Sequence, residues 1–229
     1  MAESPAHRPL RLPLPHLRPA VAAAWIAAMA VLFGALAADL VFHGPVTRLD
    51  APASAWFAMH LDPSTTRLML AVSAMHATMA ICILAALLAI GLVATGQRHW
   101  VPLLVLAVPG GLVLNAVVKL AFERARPAFD HPLVHLSTFS FPSGHAAGAT
   151  VWWGFALVLW CSRERGVAAR MAGAVVAVAI VALTAVSRVY LGAHYPSDVL
   201  AGIAEGTLWL LACLSGAQAV AQHRAGATA

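Results

Sequence analysis

Three short clusters bring together residue types that can hold a phosphoryl group and attack it. They are Lys119 with Arg126-Pro127, then Pro142-Ser143-Gly144-His145, then Ser187-Arg188 with His194 and Asp198. Between them they carry three permanent cations, two imidazoles, a carboxylate and a glycine-opened helix start. Fixed cations and backbone amides stabilise charge on phosphoryl oxygens, and an imidazole can attack phosphorus, all without a bound metal.

Lys119 and Arg126 are seven residues apart, two helical turns, so both can point along one helix face. Pro127 disfavours helix at Arg126, and the last turn is expected to open there. An ammonium and a guanidinium suit a tetrahedral oxyanion, the first as a point charge and the second as a bidentate fork. In the second cluster Pro142 favours helix entry, Ser143 is placed to cap the helix, and Gly144 lets an anion approach the N–H groups at the positive end of the dipole. His145, the next residue, can donate a proton to a leaving oxygen. In the third, His194 and Asp198 are four residues apart: a carboxylate on one ring nitrogen leaves the other free as a nucleophile. Pro196 interrupts strict helical geometry between them, so this contact depends on a loop-to-helix transition. Ser187-Arg188 can bring a third cation. Taken singly, each cluster also reads as ordinary structure: snorkelling cations, a helix start, a His–Asp pair. Together they point to one site.

The elements that must position these groups are membrane helices. In 229 residues, 61% are hydrophobic and 10% charged, with mean hydropathy +0.82, far too apolar for a soluble domain of this size. About 20 apolar residues cross a bilayer as a helix, and about six runs of that kind can be placed, at 19–42, 68–94, 101–122, 142–160, 171–189 and 197–220. The expected fold is therefore all-α, an integral membrane bundle of about six transmembrane helices in one domain, 19–220. A disordered cytoplasmic arm, 1–18, precedes it and a cytoplasmic tail, 221–229, follows. Ala35-Leu36-Ala37 resembles a signal-peptidase site, but the apolar run before it exceeds the usual h-region of about 7 to 15 residues, so the first span is expected to remain as an anchor. Pro109-Gly110-Gly111 is expected to loosen the third span, and 51–60 reads as an amphipathic element lying at the interface, with Trp56 and Phe57 in the headgroup layer.

Net charge +5 does not indicate nucleic acid, because the basic residues sit at segment ends instead of massing in a stripe. The cysteines, Cys82, Cys161 and Cys213, fall within apolar runs, which argues against a disulfide framework or a Cys-based metal site. Arg8, Arg11, Arg18, Arg98, Arg163, Arg165, Arg170 and Arg224 fall on one side of the spans, against Arg48, Arg67 and Arg124 on the other. The positive-inside rule makes the first side cytoplasmic. Both termini are then inside, and the three clusters converge at the outer membrane face.

The spacing K-x6-RP, PSGH and SR-x5-H-x3-D resembles the three-part signature of the type 2 phosphatidic acid phosphatase superfamily, which includes bacterial lipid and polyprenyl diphosphate phosphatases and vanadium haloperoxidases. The likeness is detailed from Lys119 to Asp198. It implies that His194, oriented by Asp198, forms a phosphohistidine, that Lys119, Arg126, Ser143, Gly144 and Arg188 hold the phosphoryl oxygens, and that His145 protonates the leaving group and then activates water. No metal or cofactor is implied. The expected partner is a lipid phosphate in the bilayer of a bacterial inner membrane: phosphatidate, phosphatidylglycerol phosphate or undecaprenyl diphosphate. Lipid phosphotransfer and non-catalytic lipid-phosphate binding or transport are the rival readings. Of the remaining polar residues, Glu205 is expected to steady the surroundings of His194 or pair with a cation, Asp39 and His76 to make helix contacts, and His131 and His135 to shape access to the site. Trp152, Trp153 and Trp160 read as lipid-facing or interfacial.

Overall fold

The computed structural model describes residues 18–129, 132–134, 136–163 and 165–226, and these form helices with no strand among them. In chain order they are α1 (Pro19–Val41), α2 (Pro45–Met59), α3 (Pro63–Met75), α4 (Thr78–Ala94), α5 (Val101–Phe122), α6 (Gly144–Cys161), α7 (Val167–Tyr190) and α8 (Pro196–Gly226), with a 3₁₀ turn at Arg98–Trp100 leading into α5. Proline stands in the opening turn of α1, α2, α3 and α5, where its missing N–H has no intrahelical partner to lose.

Four helices are individually long and apolar enough to span a membrane, α1, α5 with its 3₁₀ lead, α7 and α8; α3 and α4 are apolar enough only as a pair, a broken span or re-entrant loop bent by 51°. The six expected spans correspond to these and α6, whose 18 residues include His145, Gly144, Gly148 and Gly154. Exposed Val31, Leu87, Ile90, Val113 and Val178 form an apolar belt suited to lipid.

The bend corrects the expected single span over 68–94. The His76 imidazole takes the Val72 carbonyl (Nδ1 to O 2.9 Å), which a continuing helix would offer to the His76 N–H. That N–H turns instead to Ser73 (3.1 Å). The expected loosening at Pro109-Gly110-Gly111 does not interrupt α5. Those glycines instead admit the Trp209 indole: a Cβ at either would stand 3.0 Å from it, and its Nε1–H donates to the Ala107 carbonyl at 2.9 Å. α8 also continues to Gly226, beyond the expected fading near Val220.

Helix α6 lies at the centre, packed against α4, α5, α7 and α8. Its contact with α8 is backbone to backbone: a Cβ at Gly202 would stand 2.5 Å from the Ser143 carbonyl, and one at Gly206 would stand 2.7 Å from that of Ala147. Small residues let membrane helices approach in this way, since lipid supplies no hydrophobic drive for association. Below this seam Ile81, Trp100, Leu104, Val108, Phe155 and Leu214 fill the core. The seam places the N-terminal end of α6 against the start of α8.

Candidate active site

Helix α5 ends at Glu123, which adopts a left-handed conformation (φ +44°). A non-glycine residue there costs about 1–3 kcal/mol and persists only where its surroundings impose it. The helix therefore ends with the apolar run at Phe122, short of the opening expected at Arg126, and Arg126 leaves the line of Lys119. The returning segment is pinned where the Ser140 N–H donates to the Arg124 carbonyl (2.8 Å). Arg126 is anchored by backbone: Nε donates to the Thr138 carbonyl (2.6 Å), Nη2 to that of Phe139 (3.1 Å) and Nη1 to that of Ala193 (2.6 Å). The same Nη1 lies 3.1 Å from His194 Nε2.

His194 lies in the turn between α7 and α8. Its own N–H and that of Ala193 both donate to the Arg188 carbonyl (3.2 and 3.0 Å). Gly192 makes this turn possible, with φ +65° and the Phe129 ring 2.6 Å from where a Cβ would stand. Burial pushes the imidazole down to about 3, against an opposing pull from Asp198, so the ring is neutral and Nε2 carries a lone pair at physiological pH. Its Nδ1 stands 3.5 Å from Asp198 Oδ2, at the outer limit of a hydrogen bond. That oxygen is held more closely by the Ser140 hydroxyl (2.5 Å) and the Tyr195 N–H (2.9 Å). The other, Oδ1, accepts from Arg124 Nη1 at 2.5 Å.

The second cluster meets the third directly, since the Ser143 N–H donates to the Asp198 carbonyl at 2.9 Å. Ser143 occupies the N-cap position of α6, but its hydroxyl makes no cap bond, contrary to expectation. It is instead buried and has no partner among the described residues, as are Nε and Nη2 of Arg188. Nη1 of Arg188 donates to the Ser73 hydroxyl of α3. Gly144 is required by packing, for a Cβ there would stand 2.8 Å from Asn115 Oδ1. The Lys119 ammonium donates to the Phe139 carbonyl (2.6 Å) and interacts electrostatically with Arg126, Arg188 and Asp198. His145 makes no side-chain hydrogen bond among the described residues and lies in the field of Arg188, His194 and Arg126. Beside Arg126 a cleft of about 500 Å³ opens, lined by Pro127, Pro132, Val134, Leu136 and Ala193 among others.

The structure thus gathers Lys119, Arg126, Ser143, Gly144, His145, Arg188, His194 and Asp198 at one end of the bundle. It adds groups the sequence reading did not assign to the site. Arg124 was counted there only as a flanking charge, yet it bridges Asp198 and Asp50 of α2 (Nη2 to Oδ2 2.7 Å). Asp50 and Asp198 are 2% and 0% exposed, and Arg124 is raised above its usual range, burial opposing and the two carboxylates prevailing. A signal was available in Arg124 itself, a second arginine two residues from Arg126; Asp50 in an amphipathic stretch offered none. Glu205 accepts from the Asn115 amide (Nδ2 to Oε2 2.7 Å) and interacts electrostatically with Lys119, without a close ion pair among the described residues. Asp39 receives the Thr47 N–H and hydroxyl (2.7 and 2.6 Å), tying α1 to the first turn of α2. His76 accepts from the Trp153 indole (3.0 Å), so that tryptophan points inward. His131 and His135 lie outside the described residues.

Comparison with known proteins identifies the family of the chain. A family model described as PAP2 superfamily matches residues 98–221, more than half of the chain. Phosphatidylglycerophosphatase B of Bacillus subtilis is 40% identical over 119 residues, covering 49% of this chain and 56% of that protein. Decaprenylphosphoryl-5-phosphoribose phosphatase of Mycobacterium tuberculosis is 36% identical over 118 residues, covering 48% and 56%. The chain therefore spans about half the length of these curated relatives. A solved transmembrane PAP2 type phosphatidylglycerolphosphate phosphatase from Bacillus subtilis is similar over 84% of this chain and 95% of its own, with TM-score 0.75 and 30% identity. The chain is an integral membrane protein and belongs to the PAP2 superfamily.

Proposed function

We propose that this protein is a metal-independent lipid phosphatase acting through a phosphohistidine. The observation that carries the reading is a set of unsatisfied donors around a neutral imidazole. Arg188 Nε and Nη2 and the Ser143 hydroxyl are buried and unpaired among the described residues, beside the Arg126–His194 contact at 3.1 Å. Buried donors are rarely left orphaned, and a phosphoryl group satisfies all of them at once. The free N–H groups in the first turn of α6 add the positive end of a helix dipole.

In the proposed reaction His194 Nε2 attacks phosphorus in line, forming the N–P bond as the bond to the leaving oxygen breaks. Arg126 Nη1 passes from Nε2 to a phosphoryl oxygen, and Lys119, Arg188, Ser143 and the Gly144 N–H hold the others. Asp198 stabilises the charge that develops on the ring, through Nδ1–H. His145, taking up a proton as the anionic substrate binds, gives it to the leaving oxygen, then takes a proton from the water that attacks phosphorus and breaks the N–P bond. Ground and transition states differ in charge at the equatorial oxygens, where fixed donors favour the latter.

The substrate is a membrane lipid phosphomonoester or diphosphate: phosphatidate, phosphatidylglycerol phosphate or undecaprenyl diphosphate. A mostly apolar cleft that opens beside Arg126, on a bundle with an apolar belt, suits a substrate that never leaves the bilayer. With Arg98, Arg163, Arg165 and Arg170 at the ends of the bundle away from the site, the positive-inside rule puts the site on the periplasmic face and both termini in the cytoplasm of a bacterial inner membrane. The proposed organisation is an arm over 1–18, one phosphatase domain over 19–220 and a tail over 221–229, into which α8 runs as far as Gly226.

Phosphate release from these three lipids in detergent, with EDTA present and beside His194→Ala, tests the reading. EDTA-resistant release that the substitution abolishes is the expected result. Release lost in chelator and restored by a divalent ion overturns the metal-independent route; label passing to an added lipid or sugar acceptor identifies a phosphotransferase; and binding without turnover in the wild type leaves only a lipid-phosphate binder.

A further inference from the structure

Arg124 lies outside the K-x6-RP, PSGH and SR-x5-H-x3-D pattern, yet it contacts both buried carboxylates of the site. Nη1 reaches Asp198 Oδ1 at 2.5 Å and the Ser197 hydroxyl at 2.8 Å, while Nη2 reaches Asp50 Oδ2 at 2.7 Å. Asp50 also accepts the Ser197 N–H at 3.0 Å and the Ser197 hydroxyl. Helix α2 therefore grips the first turn of α8 twice, directly at Ser197 and through Arg124 at Asp198. Asp50 is contributed from outside the stretch that matches the family, 98–221.

The geometry points to Asp50 and Arg124 as positioning residues for the nucleophile, a clamp that fixes the Asp198 carboxylate so that Oδ2 faces His194 Nδ1. A carboxylate is a broad two-fold rotor about its terminal torsion. Ser140 and the Tyr195 N–H hold one oxygen, and Arg124 holds the other, which leaves one orientation. Without the guanidinium, Asp198 and Asp50 become two buried negative charges with no cation between them, and each is driven to turn away or take up a proton. Either outcome weakens the carboxylate's hold on Nδ1–H, and with it the alignment of Nε2. The Tyr195 ring closes over the clamp, 4.2 Å from the guanidinium carbon of Arg124, and limits water access to it.

This inference rests on the phosphohistidine reading, so the experiment measures that intermediate. Full-length protein in detergent is given ³²P-labelled phosphatidate, and the rate at which base-stable label appears on the protein is followed beside kcat, KM and the thermal transition. Arg124→Gln and Asp50→Asn should each slow labelling by about 10- to 100-fold, the range seen when the partner that orients a reacting group is removed. KM should stay within about threefold, since no contact with substrate is lost. Arg124→Lys keeps the charge without the fork and should recover part of the rate. If His194→Ala is unlabelled while Arg124→Gln and Asp50→Asn label at the wild-type rate, the clamp is overturned and the phosphohistidine reading stands. Labelling that persists in His194→Ala overturns both. A labelling rate that falls only with the folded fraction assigns Asp50 and Arg124 to stability alone. Should Arg124→Gln fail to fold, the nearly isosteric Asp50→Asn decides the question by the same measure.

Discussion

The four helices α1–α4 and the four helices α5–α8 contribute to the site in opposite ways. Every group proposed to touch the phosphoryl unit comes from the second half or its connections: Lys119, Arg126, Ser143, Gly144, His145, Arg188 and His194. The first half supplies holders. Ser73 of α3 takes one nitrogen of Arg188, and Asp50 of α2 takes one of Arg124. Long cationic side chains carry about 2 kcal/mol of rotamer entropy, which must be lost before they can form a rigid anion seat. Contacts from the first half remove that freedom before substrate arrives, so the half without reactive groups determines how well the other half is organised.

The contrast can be broken in several places, and the largest effect belongs to the reactive half. His194→Ala should lower phosphate release by at least about 10³-fold with the thermal transition unchanged; residual turnover near wild type would move the nucleophile elsewhere. Arg124→Leu should follow, destabilising the protein by about 3–5 kcal/mol, because it leaves two buried carboxylates uncompensated. Chemical or thermal unfolding in detergent measures this. Ser73→Ala withdraws one partner from Arg188, a hydrogen bond to a charged group worth about 1.5–3 kcal/mol. It should raise KM by about tenfold while kcat moves less; an unchanged KM would separate α3 from the anion seat. The smallest effect is expected at Asp39→Ala, about 1 kcal/mol of stability from the lost capping bonds to α2, with kcat unaltered.

Acid sharpens the comparison from the side of His194. Its folded value, depressed by burial to about 3 from 6.5, means that the unfolded chain binds the extra proton first. The associated stability is fully present above about pH 6.5 and is lost as pH falls toward about 3. Unfolding midpoints in urea should therefore decline over that window in the wild type. In His194→Gln, where the titrating group is gone, this part of the decline should disappear.

What could be read in advance was what lies close in the chain. Clusters such as PSGH and His194 with Asp198 carry their spacing within one or two turns, and span ends follow from runs of apolar residues closed by Arg, Gly or Pro. The second half was legible for this reason, down to the limits of α5. Asp50 was not, because a single carboxylate in a short amphipathic helix looks like solvated surface until a partner 74 residues away is placed against it. Neither the left-handed Glu123 nor the break at His76 has a local signature. Glutamate has no special preference for positive φ, and the His76 ring bends the chain by taking one backbone carbonyl. Both are imposed by packing, a long-range property. The tertiary role of Trp209 explains in the same way why a Pro-Gly-Gly run stays helical.

The seam where Gly202 and Gly206 press α8 onto α6 leaves no gap for a methyl group beneath the reactive centre. A floor of that kind cannot be widened by side-chain exchange without parting two main chains, so variants selected for bulkier or smaller head groups should accumulate changes in the wall, at Pro132, Val134, Leu136 and Ser137, and leave the floor untouched.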